Sequence, residues 1–212
     1  NTKCGIFASN ADVTLESCEI NQNSYAGLHS INSSVSLTKC SVTKNSKGGI
    51  TSSKGSRVKL EEGCTVTANS WAGLLCEEDS TLNATGCPIS ENQIGVNCIG
   101  QMSLNDCQIT NHKEHAVQCL GSLSLEDSTI SRNGIGLIAG KTGNVNGSDC
   151  KFETNGLHAE VTNNATISFT QTKFIDSTGK SAINITESGT GVFSQCEIVN
   201  SKDIAIYLNG KI

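Results

Sequence analysis

The chain repeats itself every 20 to 26 residues along almost its whole length. A period of that size restricts a sequence to solenoids, propellers or arrays before any other feature is weighed. The unit is clearest between Gly27 and Gly49, GLHSINSSVSLTKCSVTKNSKGG. Each unit is marked by the small residue that precedes its Ile, Leu or Val. The marks are Gly5, Gly27, Gly49, Gly73, Gly95, Ala116, Gly136, Gly156, Ala182 and Ala205. Their intervals are 22, 22, 24, 22, 21, 20, 20, 26 and 23 residues, about nine turns.

Four columns align on these marks. The first runs Cys18, Cys40, Cys64, Cys87, Cys107, Ser128, Cys150, Thr172, Cys196. Two residues later stands an apolar column, from Ile20 and Val42 to Phe174 and Ile198. Five residues after the cysteines stands an amide-rich column: Asn23, Asn45, Asn69, Asn92, His112, Asn133, Asn155, Ser177, Ser201. Three residues after the marks comes a second small column, which includes Cys76, Cys98, Cys119, Ala139 and Ala159.

Within a unit, apolar and polar residues alternate in three short pieces. Val35-Ser36-Leu37, Cys40-Ser41-Val42 and Val96-Asn97-Cys98 are examples. A period of two places one face inside and one outside. Three short strands per turn, separated by bends, describe an all-β triangular parallel solenoid, and residues 1–212 read as one such domain. Stacked asparagines at one bend would bond to each other and to turn backbone. The absence of an initiator Met suggests a piece of a longer chain, and the ends lack convincing caps.

The formal net charge is −5, and arginine occurs only at Arg57 and Arg132. A nucleic-acid binder wants a basic stripe, so nucleic acid is not expected as a partner. No apolar run reaches the length of a membrane span. Ten of the eleven cysteines fall in two columns at the coil period, where core residues belong. Ser128 and Thr172 replace cysteine in the first column, which a required disulfide partner would not permit. Reduced, stacked thiols are therefore expected, and with them an intracellular, cytoplasmic or cytoskeletal setting. Five Asn-x-Ser/Thr sequons, at Asn32, Asn83, Asn146, Asn164 and Asn184, point the other way. A chain this rich in Asn, Ser and Thr makes sequons by chance.

The pattern V-x-L-x-x-C-x-I-x-x-N-x-x-x-G-I resembles the parallel β-helix repeat of the pectin-lyase-like superfamily. Its cysteine-tolerant form is similar to the carbohydrate-binding/sugar-hydrolase (CASH) repeats of F-box β-helix proteins and SHC-binding spindle proteins. The resemblance implies a right-handed parallel β-helix. It says little of function, because one fold hosts lyases, hydrolases, epimerases, adhesins and scaffolds. V-x-L-x-x-C-x-I also matches the core of a leucine-rich repeat, but NQNSYAGLHS after Ile20 has no L-x-x-L helix face.

Sugar-cleaving β-helices need carboxylates converging on a groove. The polygalacturonase signatures Asn-Thr-Asp, Asp-Asp and His-Gly are absent, so no catalytic residue is assigned and no cofactor is expected. Asp106, Asp127 and Asp149 precede the cysteine column in three adjacent turns, weak candidates for Ca²⁺ ligands or solvated bend residues. His112, His115 and Cys119 have metal-binding chemistry, but His112 and Cys119 belong to different columns. Two surface features remain. The third strand should present Phe7, His29, Leu75, Ile138, His158 and Tyr207 outward as a partner face. Tyr25 and Trp71, at the bend before their marks, would form a carbohydrate or peptide patch. The expected role is a non-catalytic recognition or scaffold module with a protein partner. The alternatives are a carbohydrate-active or polysaccharide-binding β-helix and a structural rod.

Overall fold

The computed structural model describes residues 3–210, so the ends of the expected 1–212 span lie outside the described residues. It contains three parallel sheets of ten, nine and nine strands, each built from every third strand of the chain. The first sheet starts at Ile6–Ser9, the second at Asp12–Glu16 and the third at Glu19–Asn21. No helix occurs among the described residues. Nine inter-strand steps of about 4.8 Å make a rod about 43 Å long.

Strands pair in register with the next turn, so each column of the sequence becomes a physical ladder. Val35 stands opposite Val58 and Leu37 opposite Leu60 in the second sheet, and Ile109 opposite Ile130 in the third. All six are buried. Bends are made by residues with left-handed backbone angles. Asp106, Asp127 and Asp149 have φ of 50°, 48° and 54° at the corner between the second and third sheets. Short polar side chains tolerate that conformation best, which accounts for the acidic column. The three side chains are exposed.

The first cysteine column sits just past this corner. Cys40, Cys87, Cys107 and Cys150 each donate from Sγ to the carbonyl two residues back, at 3.2–3.3 Å. Ser128 and Thr172 make the same bond at 2.8 and 3.0 Å, and each also accepts the amide of the cysteine one turn earlier. A hydroxyl therefore does what the thiol does, and the column asks for a small donor rather than for sulfur. Among the described residues the ten cysteines of the two columns form no disulfide. Burial pushes the Cys76, Cys107 and Cys150 thiols up to about 11.

At the corner between the third and first sheets, asparagines of successive turns form a ladder from Asn23 to Asn92. Asn45 Nδ2 donates to Asn69 Oδ1, and Asn69 Nδ2 to Asn92 Oδ1, both at 3.0 Å. Each Oδ1 also takes the backbone amide of the turn before. The glycine marks lie against this ladder. A Cβ on Gly73 would come 2.7 Å from Asn92 Nδ2, closer than real side chains approach.

Two turns depart from the pattern. His112 occupies an amide position, with its Nε2 3.1 Å from the Ile89 carbonyl. Further on, Ser177 is too short to continue the ladder from Asn155. His158 replaces the missing amide, its Nδ1 3.2 Å from Asn155 Nδ2. This corrects the sequence reading, which placed His158 on the outward face. Ile135 pairs with Leu157 and Leu137 with Ala159, so His158, not Gly156, stands in the mark column opposite Gly136. The outward residue of that turn is Glu160, opposite Ile138. Val161, not Ala159, continues the second small column, opposite Ala139. His158 is fully buried, edge-on to Phe152 at 6.3 Å.

Burial holds both histidines down to about 4, against the ordinary value of 6.5. The unfolded chain therefore binds more protons than the native one below pH 6.5, and stability falls as pH drops from about 6.5 to about 4. Each histidine contributes about 3 kcal/mol to that loss. His112→Asn restores the amide ladder and is expected to flatten this dependence by about one proton. Urea unfolding at pH 7 and pH 4.5 measures it. A variant as acid-sensitive as the parent would show that His112 is not a source of the slope.

Candidate functional site: a cleft beside the amide ladder

The outer face of the first sheet is not flat. Along each strand the mark, the next residue and the second small column point inward. The residue before the mark, and those two and four after it, point outward. In the first three full turns the residue before the mark is Ala26, Gly48 or Ala72; later turns have Ile94, His115 and Ile135 there. Small residues in the early turns open a cleft of about 570 Å³. It is bounded by Tyr25, Lys47, Trp71 and Gln93 along the bend and by His29, Thr51, Leu75 and Glu77 on the sheet.

The cleft brings together residues that the sequence placed in separate sets. Tyr25 and Trp71 are 48% and 40% exposed, large for aromatic rings on a folded surface. They lie two turns apart, with Lys47 in the turn between. His29 and Leu75 come from the outward column of the first sheet. Leu75 packs with Ala72, Ile94 and Ile99 in a small apolar cluster on this outer face, separate from the interior core. The other members of the predicted face are not gathered here. Phe7 is exposed at the first turn, edge-on to His29 at 5.7 Å. Ile138 is half-buried farther along the column, and Tyr207 is exposed in the last strand. His158 is interior. The narrowing of Ala26, Gly48 and Ala72 was present in the sequence but carried no weight there, because the residue before the mark was not recognised as outward.

His29 Nε2 lies 3.2 Å from Ser53 Oγ, and Ser53 donates its own proton to the Ser30 carbonyl at 3.0 Å. The imidazole N–H therefore donates to the serine oxygen, and Ser53 is not an activated nucleophile. Burial lowers the His29 pKa, opposed by the Glu77 carboxylate and aided by Lys54. Among the described residues Glu77 is the one carboxylate lining the cleft, where paired-carboxylate chemistry needs two. Gln93 is held by Glu114 at 2.7 Å. Asn97, beside Leu75 in the outward column, has a buried Oδ1 without a partner among the described residues.

A second cleft of about 590 Å³ lies at the corner between the first and second sheets, lined by Glu78, Asp79, Ile99, Leu120 and polar backbone-flanking residues. None of the predicted site residues lines it. Among the described residues no group of three or more His, Cys, Asp or Glu is placed to hold a metal ion. His112 points into the amide ladder, while His115 stands in the outward column before the mark. No helix among them is long and apolar enough to cross a membrane.

Comparison with curated proteins gives no match. The family model described as a right handed beta helix region matches residues 1–126. That match covers more than half of the chain, and the same three-sheet coil continues through the turns beyond it. With its columns, its parallel register and this match, the chain belongs to the right-handed β-helix family.

Proposed function

We propose that this β-helix is a non-catalytic recognition module, part of a larger intracellular protein, and that it holds a segment of a partner protein in the cleft of Tyr25, Lys47 and Trp71. The observation that carries this reading is the convergence in one recess of two exposed aromatic rings, an apolar floor and a single carboxylate. Tyr and Trp side chains dominate binding energy where they line a recess. The resemblance to CASH-type repeats of intracellular proteins supports the same setting, as do the buried, unpaired thiols.

Selection from a random-peptide display library, run beside a glycan array, tests it. Peptides should be enriched, and Trp71→Ala should weaken them by about 30-fold, the effect of losing one aromatic hot spot. Trp71 is exposed, so the variant retains its core. The second reading is a polysaccharide module, favoured by the same aromatic pair, since rings of this kind also stack on sugars. Enrichment of glycans with no peptide would replace the first reading by the second.

A further inference from the structure

We propose that the cleft takes a proline-rich segment in the polyproline II conformation, lying along the rod axis with prolines at positions i and i+3 over Tyr25 and Trp71. The proposal rests on the recognition reading above and names its ligand.

The spacing carries the argument. Tyr25, Lys47 and Trp71 directly precede Ala26, Gly48 and Ala72. Ala26 pairs with Gly48, and the pairing of Leu74 with Ile50 sets Ala72 opposite Gly48. The two aromatic residues are thus attached two inter-strand steps apart, about 9.6 Å. A polyproline II helix repeats every three residues with a rise of 3.1 Å per residue, a period of about 9.3 Å. Its residues i and i+3 fall in phase with the two rings. An extended β-strand repeats its side chains on one face every 6.6 Å or so, and an α-helix has a pitch of about 5.4 Å. Neither period matches.

The chemistry agrees with the spacing. A polyproline II backbone has no internal hydrogen bonds, so its carbonyls need donors. The cleft offers the Trp71 indole N–H, the Tyr25 phenol and the hydroxyls of Ser46 and Ser70. Lys47, between the rings, can lay its aliphatic stem along apolar surface and keep its ammonium in water. Charge complementarity specifies a further position. Glu77 places a negative charge on the sheet side of the cleft, and its field reaches His29. A ligand with an Arg or Lys beside its proline pair meets that charge. A stiff ligand also suits a shallow site, because little conformational freedom is lost on docking.

Trp71 is the sole tryptophan, so its fluorescence reports directly on the cleft. The probes are synthetic ten-residue peptides with Pro at i and i+3 and one flanking Arg, the same peptides with both prolines changed to Ala, and the same with Arg changed to Glu. Saturable change in Trp71 emission is expected for the first. The Pro→Ala pair should bind at least about tenfold more weakly, and Arg→Glu about fivefold more weakly. The Arg-versus-Glu difference should vanish in Glu77→Gln. Equal binding of the proline and alanine peptides, or no binding of either, overturns the proposal. If library peptides lacking a proline pair change Trp71 emission, the polyproline proposal falls and the recognition reading stands. If only glycans change it, both fall.

Discussion

Asn69→Ala should destabilise the protein by about 3–6 kcal/mol, enough to bring a domain of ordinary stability close to unfolding. The side chain is 2% exposed and sits in the middle of the amide ladder. Its Oδ1 accepts from the Asn45 amide at 3.1 Å and from Asn45 Nδ2 at 3.0 Å. Its Nδ2 donates to the Val42 carbonyl at 3.1 Å and to Asn92 Oδ1 at 3.0 Å. Alanine removes all four bonds and leaves the Asn45 amide buried without an acceptor. A stranded buried group costs about 1–3 kcal/mol, and at least two are created. The comparison is Asn32→Ala at the corner between the first and second sheets, where an exposed amide donates to Asn10 Oδ1 at 2.7 Å. Asn32 has a φ of 45°, which alanine tolerates less well, so that change should cost about 1 kcal/mol, well below the ladder variant. Urea midpoints of the two variants decide the matter; similar shifts would mean that the ladder adds nothing to the ordinary effect of losing a surface amide.

The second large effect is expected where a glycine and a phenylalanine share one column. In the second sheet Leu125 pairs with Gly147, and Gly147 with Phe169. The Phe169 ring fills the space a side chain on Gly147 would need, so that a Cβ there would overlap its Cδ1 and Cε1. Phe169 also meets Phe152 and Phe174 edge-on at 5.4 Å each. Phe169→Ala should cost about 3–5 kcal/mol by opening a cavity in this cluster. Gly147→Leu should cost about 1–3 kcal/mol or more by overfilling it. The double variant returns the lost volume from the neighbouring turn. It should be more stable than Phe169→Ala alone by about 1–2 kcal/mol, a coupling that a double-mutant cycle measures. Strict additivity would show that the two residues do not share the space.

The architecture was legible because a parallel coil turns sequence columns into ladders, and few other folds ask Val58, Leu82 and Met102 to stand directly above one another. The interchange of cysteine with Ser128 and Thr172 was visible too, although its cause, the carbonyl two residues back, was not. What misled was a glycine. Gly156 has the identity expected of a mark, but it lies two residues early, and His158 occupies the crowded position instead. Ser177 held the clue: a shortened ladder residue frees the volume that the imidazole takes. The cleft was half legible. Tyr25 and Trp71 were visible as exposed aromatics, and His29 and Leu75 as outward residues. Their meeting depends on the two sheets joining at one corner with small residues between, which alternation along single strands does not report.

The near-identity of successive turns creates an ambiguity that His112, Pro88, Gly147 with Phe169, and His158 with Ser177 resolve. Shifted by one whole unit, most of the chain would still set apolar residue on apolar and amide on amide, at little loss of free energy. These exceptions fit only their own neighbours. Pro88 begins its strand, and pairing with the turn before starts at Ile89 opposite Val66; it forgoes the bond to Cys64 that Gln108 makes to the Cys87 carbonyl. A displaced turn would set the Phe169 ring against Leu125 rather than the gap at Gly147, and would leave Asn155 facing no imidazole. The irregular residues act as addresses, giving each turn a place in the stack that a perfect repeat could not specify.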